Sequence, residues 1–479
     1  MDEKINIIFL IVDALRAQNL SCYGYPALTS PTIDKLSKNG VLFENAYSCV
    51  DNTDPSFTSI FSGKYPLSHG IIHQAEISTK EIQEFQLTQT KLLQQILREH
   101  EYYTIGIDWL GRWHKTGYNF YGISENTNYP QNKVNTGKIK TYIQLLPSPL
   151  RSILKKTYTF LKKSYPSKKD AHSMTDLAIN KLKQMQENNF FLLIHYWDVH
   201  TPFDTIPNSF IEKFDRGEKH LTVKEMLEKI EYPIWKEKVK QYHLKGITFI
   251  DEIEARYNSA INYVDHEINK LITFLKDVGL YDNTLIVFTG DHGDNLMRND
   301  TFAGHSGLYD EVIHVPLILA GNGLPQGKRI HSFVQHIDIV PTLLETLNID
   351  LSSFNIDGIS LIPLLQGKEK QIHSEIYAME AARRRFTIRD EDYKYIYSPT
   401  EEDLFHIFWK KRDKLYRPVY EKRIELYDLK NDSKEQHNII NQLPELGKEM
   451  EEKTLHWIEN LQTKKEKIIL RNKIKEIKI

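Results

Sequence analysis

Three stretches of the chain are apolar almost without interruption: Ile5–Val12, Phe190–Tyr196 and Thr284–Thr289. A strand with one wet face alternates apolar and polar residues. These stretches do not alternate, which suits strands buried on both faces of a largely parallel sheet covered by helices. Each run delivers polar residues at its end: Asp13 after the first, Trp197-Asp198-Val199-His200 after the second, Gly290-Asp291-His292-Gly293 after the third. In open α/β sheets the chemistry lies beyond the carboxyl ends of the strands. A carboxylate and an imidazole side by side at such an end suit a divalent metal. Taken alone, the tetrapeptide could be a turn and Asp13 a helix cap.

The rest of the chain supplies the covering layers. Ile261, Val264, Ile268, Leu271, Ile272 and Leu275 fall on one helical face that ends at Gly279. Ser30-Pro31 reads as a helix start, Asn39-Gly40 as a turn, and Val41–Tyr47 and Tyr103–Ile107 as further strands. Leu87–Glu99 is expected to be helical, with Leu87, Leu92, Leu93, Ile96 and Leu97 near one face. Thr53-Asp54-Pro55-Ser56 reads as the opening of another helix, with proline in the first turn, where its missing N–H costs nothing. A hydroxyl there meets unpaired N–H groups and the positive end of the helix dipole, a site fit for a tetrahedral anion. A plain capping threonine has the same signature.

With 479 residues, the chain can form two or three domains on length alone. A net charge of −2 gives no reason to expect nucleic acid, and two cysteines exclude a disulfide framework or a cysteine-rich zinc site. The first apolar run is too short to span a bilayer and follows Asp2 and Glu3, unlike a basic leader, so a cytoplasmic protein with no transmembrane segment is expected. Residues 133–169 carry ten Lys or Arg and no acid. They read as a solvated basic insertion or lid, or as a contact surface for an anionic polymer or membrane.

In order and spacing, these pieces resemble the sulfatase family of the alkaline phosphatase superfamily. The likeness includes Asp13, Thr53-Asp54-Pro55-Ser56, Tyr65-Pro66-Leu67-Ser68-His69-Gly70, Gly111-Arg112-Trp113-His114, His200-Thr201-Pro202, Gly290-Asp291-His292-Gly293 and Asp357-Gly358, and runs from about Ile5 to about Ile439. It implies an α/β fold, an alkaline-phosphatase-like, largely parallel sheet between helices. A catalytic domain would occupy 1–369, and a C-terminal subdomain with a small antiparallel sheet, a closing helix and a tail would occupy 370–479. It further implies one divalent ion (Mn, Zn, Mg or Ca) on Asp13, Thr53, Asp291 and His292. Thr53 would be the nucleophile, and His200 and His305 would attend the ester oxygens. Arg112 and His114 would be substrate contacts, although another register puts Trp109 at that place. His195 and Asp198 are read as structural hydrogen-bonding groups beside the site or as direct participants, and His336 and Asp338 as structural.

The departures are specific. Sulfatases carry a second acid where this chain has Ala14, and C/S-x-P-x-R where it has Thr53 and Phe57. Cys49 lies four residues too early to become formylglycine. An unmodified Thr resembles the superfamily's phosphodiesterases and phosphoglycerol or phosphoethanolamine transferases. The expected function is therefore metal-dependent cleavage of a phosphate ester, above all a diester, or of a sulfate ester, through a covalent Thr53 intermediate. Rival readings are a sulfatase that works with Thr and an inactive module that grips an anionic glycan. The expected partner is an anionic ester, on a glycan or a lipid headgroup.

Overall fold

The computed structural model describes residues 4–477 apart from 75–78, 125–169, 186–188, 212, 216, 218–219, 229–235, 237–238, 297–303, 306, 322, 382–384 and 399–423. The basic segment 133–169 lies outside the described residues. The three apolar runs form the middle of an eight-stranded sheet. They are β1 (Asn6–Val12), β5 (Phe190–Tyr196) and β6 (Thr284–Gly290), and every residue in them is buried. Around them lie β2 (Gly40–Tyr47), β3 (Tyr103–Ile107), β4 (Phe120–Tyr121), β7 (Leu317–Ala320) and β8 (Lys328–Gln335), in the order β4-β3-β5-β1-β6-β7-β2-β8. Among the described strands only β7 runs against the others. In register, Val12 pairs with Tyr196 on one side and Gly290 on the other. Asp13, Trp197 and Asp291 therefore leave the sheet at one edge, which is what brings the site together.

Both faces of β1 are covered, as its unbroken apolar pattern requires. Ile8, Leu10 and Val12 pack in one core with Ile261, Val264, Ile268 and Leu271 of the Asp251–Asp277 helix. Ile7, Phe9 and Ile11 face Phe57, Ile60 and Phe61 of the Thr53–Ser62 helix, together with Val340 and Leu343. That helix is wholly buried. It ends at Gly63, whose φ of +66° is the left-handed conformation a helix stop favours.

The helix expected over Leu87–Glu99 starts only at Leu93, and Leu87 is the last residue of a separate helix, Thr79–Leu87. The break has a local cause: Thr88 Oγ1 donates back to the Phe85 carbonyl at 2.7 Å, and Gln89 takes a φ of +49°. The apolar spacing continues across the break, so periodicity alone reads through it.

A second, antiparallel sheet runs in the order β12-β11-β10-β9, made of β9 (Ile376–Met379), β10 (Phe386–Arg389), β11 (Tyr393–Tyr397) and β12 (Glu425–Asp428). The Pro444–Ile477 helix closes over it and continues beyond it. Trp457 stacks on Tyr377 with ring centroids 4.9 Å apart. Farther along, Lys464 Nζ reaches Asp357 at 2.6 Å and Asn472 donates to the Leu87 carbonyl at 2.8 Å. The expected tail is thus helical to Ile477, and part of it is bonded to the body. No helix among the described residues is long and apolar enough to cross a membrane.

A buried ion cluster ties the small sheet to the Asp310–Ile313 helix. Lys394, fully buried on β11, pairs with Asp310 and, at 2.6 Å, with Glu435. Burial alone would raise the Asp310 carboxyl, but Lys394 and Arg389 outweigh it and hold the group below the usual range. A depressed carboxyl contributes stability above its unfolded pKa, and that contribution is lost as pH falls through the folded value. Lys394→Met leaves Asp310 to Arg389 and takes the cation from the buried Glu435. It is expected to destabilise the fold by about 3–5 kcal/mol in denaturant melts. A change under ~1 kcal/mol would show that the cluster is solvated.

Candidate active site

The site begins at the first turn of the Thr53–Ser62 helix. Thr53 Oγ1 lies 3.3 Å from His292 Nε2. Asp13 Oδ1 is 3.6 Å and Asp291 Oδ2 3.4 Å from the same nitrogen. All three of Asp13, Asp291 and His292 are fully buried, and their donor atoms lie within 4.8 Å of one another. Backbone contacts aim them. Asp291 Oδ1 accepts from Ala14 N at 3.0 Å and from His292 N at 2.9 Å. His292 Nδ1 donates to the Gly293 carbonyl at 2.8 Å, so Nε2 presents a lone pair to the Thr53 side. Ala14 holds its N–H in place with a φ of +61°.

These residues fit a divalent ion. Asp291 Oδ2 accepts no hydrogen bond among the described residues. Two carboxylates at zero exposure need a positive charge beside them. Burial raises the Asp291 carboxyl and lowers the His292 imidazole to about 4, which keeps the ring neutral and able to ligate. Ser56 Oγ donates to the Asp291 carbonyl at 2.6 Å, tying the Thr53–Ser62 helix to the loop after β6. Ser56→Ala is expected to cost about 1 kcal/mol in stability and to weaken metal affinity, read by titration calorimetry. Unchanged affinity would make the tie purely structural.

Three more imidazoles extend from this point. The His305 ring lies tilted against His292 with centroids 4.4 Å apart, His200 lies 5.7 Å from His305, and His243 lies 6.5 Å from His200. His305 Nδ1 donates to the Asp51 carbonyl and His200 Nδ1 to the Thr201 carbonyl, both at 2.6 Å. The sequence pointed to His200 and His305 but not to His243. That residue sits in a short helical turn, Val239–His243, with no motif around it.

Arg112 and His114 reach the site indirectly. The Arg112 guanidinium pairs with the carboxylate of Asp54, and His114 Nε2 lies 3.3 Å from the same Oδ1. Burial lowers the His114 imidazole against the pull of Asp54. Asp54, the residue after Thr53, is fully buried, and a sequence reading has no signal for this pairing because its partners are distant in the chain. His195 Nδ1 lies 2.8 Å from Asp108 Oδ1, and its ring packs on Phe57 at 4.3 Å. Asp198 accepts from Ala171 N, and His336 Nε2 meets Thr289 Oγ1 at 3.2 Å. Asp338 takes N–H groups from Gln335 and Ile359.

The sequence model of the Sulfatase family matches residues 5–349, and that of the N-sulphoglucosamine sulphohydrolase C-terminal region matches 302–464. The chain belongs to the sulfatase family. Within the wider superfamily it is a sulfatase-like ester hydrolase. It is 24% identical to an N-acetylglucosamine-6-O-sulfatase of Bacteroides thetaiotaomicron over 94% of this chain and 85% of that protein. Its fold matches a chain solved with its substrate D-glucosamine-2-N,6-O-disulfate (TM-score 0.66, 19% identity, 97% and 99% of the two chains covered). It also matches the phosphonate monoester hydrolase of Agrobacterium radiobacter (TM-score 0.66, 17% identity, 96% of each chain covered). Sulfatases are generally metal-dependent, and the Asp13, Asp291 and His292 cluster is this member's possible metal site. Against the family pattern, Phe57 fills the place of an arginine and packs on His195.

Proposed function

We propose that this sulfatase-family chain hydrolyses phosphodiesters through a covalent intermediate on unmodified Thr53. The observation that carries this reading is Thr53 itself, at the helix start and 3.3 Å from His292 Nε2. A formylglycine hydrate has two hydroxyls, so its ester can collapse by elimination. Thr has one, so its ester must be opened by water attacking the central atom, a step well suited to phosphorus. Charge supports the same reading. Arg112, the guanidinium that the resemblance offers as a substrate contact, pairs with Asp54. The groups left beside the ester are imidazoles. A singly charged diester suits such a site better than a doubly charged monoester.

Asp13, Asp291 and His292 would hold one divalent ion, drawn from Mn, Zn, Mg or Ca. When bound, it would supply Lewis acidity that lowers the pKa of the attacking hydroxyl and offsets charge on a non-bridging oxygen. Thr53 Oγ1 gives its proton to solvent as the substrate binds, and forms the new bond to phosphorus as the bond to the leaving alkoxide breaks. Because Nδ1 of His200 and of His305 each faces a carbonyl, each ring can donate from Nε2 only as an imidazolium. In that form His200 or His305 protonates the leaving oxygen. Water then gives a proton to that ring, now neutral, as its oxygen bonds phosphorus; the bond from phosphorus to Thr53 Oγ1 breaks, the phosphate monoester leaves, and Oγ1 takes a proton from solvent.

The test compares kcat/KM for methyl 4-nitrophenyl phosphate, 4-nitrophenyl phosphate and 4-nitrophenyl sulfate on one metal-loaded preparation. The diester is expected to lead by about tenfold or more, roughly 1.4 kcal/mol of barrier. A clear preference for sulfate overturns the reading. It would favour the second one, a sulfatase acting on a sulfated sugar with Thr53 in place of formylglycine, which the N-acetylglucosamine-6-O-sulfatase relative supports.

A further inference from the structure

At the amino edge of the sheet, opposite the edge from which Asp13 and Asp291 leave, a cleft of about 240 Å³ lies between the Pro31–Lys38 and Asp251–Asp277 helices. Asn39 and Tyr281 line it and stand just before β2 and β6. The seven residues of β6 separate its two ends by roughly 23 Å, so a ligand in the cleft does not touch Thr53. Lys35 and Lys38 of the first helix and Lys276 of the second line the cleft, and among the described residues no acid does. Nor does any carboxylate among the described residues pair with these three lysines. Two acids of the same helices are turned elsewhere. Asp34 accepts from Ser21 Oγ at 2.7 Å and from Cys22 N at 2.9 Å, and Asp265 accepts from Thr32 N and Ile33 N at 2.9 Å. Asp277 and Asp282 are chain neighbours that do not line the cleft.

All three lysines stand in last turns, where a cation offsets the negative end of the helix dipole. Two helix ends carry only about one negative charge between them, against three positive ones. The excess is open to an anion. An ammonium is a compact point charge that suits a tetrahedral oxyanion. The other lining groups suit a sugar ring. Leu36 and Ile272 are buried and give an apolar surface for its C–H face, while the exposed Asn39 and Asn269 offer amides to its hydroxyls. The volume is below the ~300–1,000 Å³ of drug-sized sites, which fits one sugar unit.

We propose that this cleft is a second binding site, for a sugar unit that carries a phosphate or sulfate group. A free sugar ester and one unit of an anionic glycan offer that same chemistry. The site does not depend on how Thr53 acts.

The experiment titrates glucose 6-phosphate calorimetrically into metal-loaded Thr53→Ala protein, with glucose as the uncharged control. A binding component is expected for the phosphate and not for glucose, and it should persist in Asp291→Asn. It should weaken at least about tenfold in the Lys35→Gln, Lys38→Gln, Lys276→Gln triple variant, and also in Asn269→Trp, which fills the cleft without changing its charge. All four side chains are exposed, so these variants should melt as the parent does. Unchanged affinity in the triple variant would put the phosphate elsewhere and overturn the proposal. Unchanged affinity in Asn269→Trp would leave only diffuse surface charge and overturn it too, as would the absence of any component in Asp291→Asn. The triple variant should keep the parent's kcat/KM on whichever 4-nitrophenyl ester the parent cleaves. A loss of about tenfold or more would make the cleft part of the hydrolytic site and overturn the proposal. The source of the sugar is read by comparing glucosamine 6-sulfate with a sulfated tetrasaccharide. Tighter binding of the tetrasaccharide, lost in the triple variant, supports the proposal with a glycan as the source. Equal binding supports it with the free sugar ester.

Discussion

Thr53→Ala is expected to lower kcat/KM by at least about 10³-fold on every ester the parent cleaves. The change removes one hydroxyl and one methyl from the first turn of a helix that is held along its length by other contacts. Phe57, Ile60 and Phe61 stay in the core beneath the sheet, Ser56 keeps its bond to Asp291, and Asp54 keeps Arg112 and His114. Thr53 is not the cap of this helix, which begins after Asn52. The melting temperature should therefore move little while activity is lost. A rate within a few-fold of the parent removes Thr53 from the mechanism. A rate lost together with a collapsed melting transition would show a folding defect, and Thr53→Ser, which restores the oxygen, separates the two.

Asp291→Asn is expected to abolish metal binding and activity together without unfolding the chain. The reason is in the geometry. Asp291 Oδ1 accepts from Ala14 N and His292 N, and an amide oxygen can take both bonds. Oδ2 becomes an NH2, which does not ligate a cation. The variant also removes a buried carboxyl whose burial opposes its charge, so stability without metal should hold or rise. The measurement is the metal content of dialysed protein alongside its melting curve, with activity after adding Mn, Zn, Mg and Ca one at a time. Chelated parent protein should lose activity and regain it with at least one of them. Full activity in metal-stripped parent protein contradicts the Asp13, Asp291 and His292 assignment.

Much of this was legible in the chain, for identifiable reasons. β1, β5 and β6 are buried on both faces, so their apolar runs stood out and their ends pointed to Asp13, His200, Asp291 and His292. Thr53 was legible because Pro55 marks the helix start. The rest depends on contacts that no local pattern carries. Arg112 reads as an anion contact in sequence, but the fold gives it Asp54. His243 lies in a turn of mixed residues, where nothing periodic marks it. The break at Gln89 comes from a threonine bonding backward onto a carbonyl, which leaves the apolar spacing unchanged. The second acid that sulfatases carry is Ala14 here, and its N–H holds Asp291.

The central claim is that an unmodified threonine carries the transferred group. Mix metal-loaded enzyme with methyl 4-nitrophenyl phosphate, quench in acid within the first turnovers, and map the digested chain by mass spectrometry. The expected result is a methylphosphoryl group on the peptide that contains Thr53, localised to that residue and absent from Thr53→Ala. A methylphosphoryl group on another residue, or turnover with formylglycine detected in the chain, would contradict it.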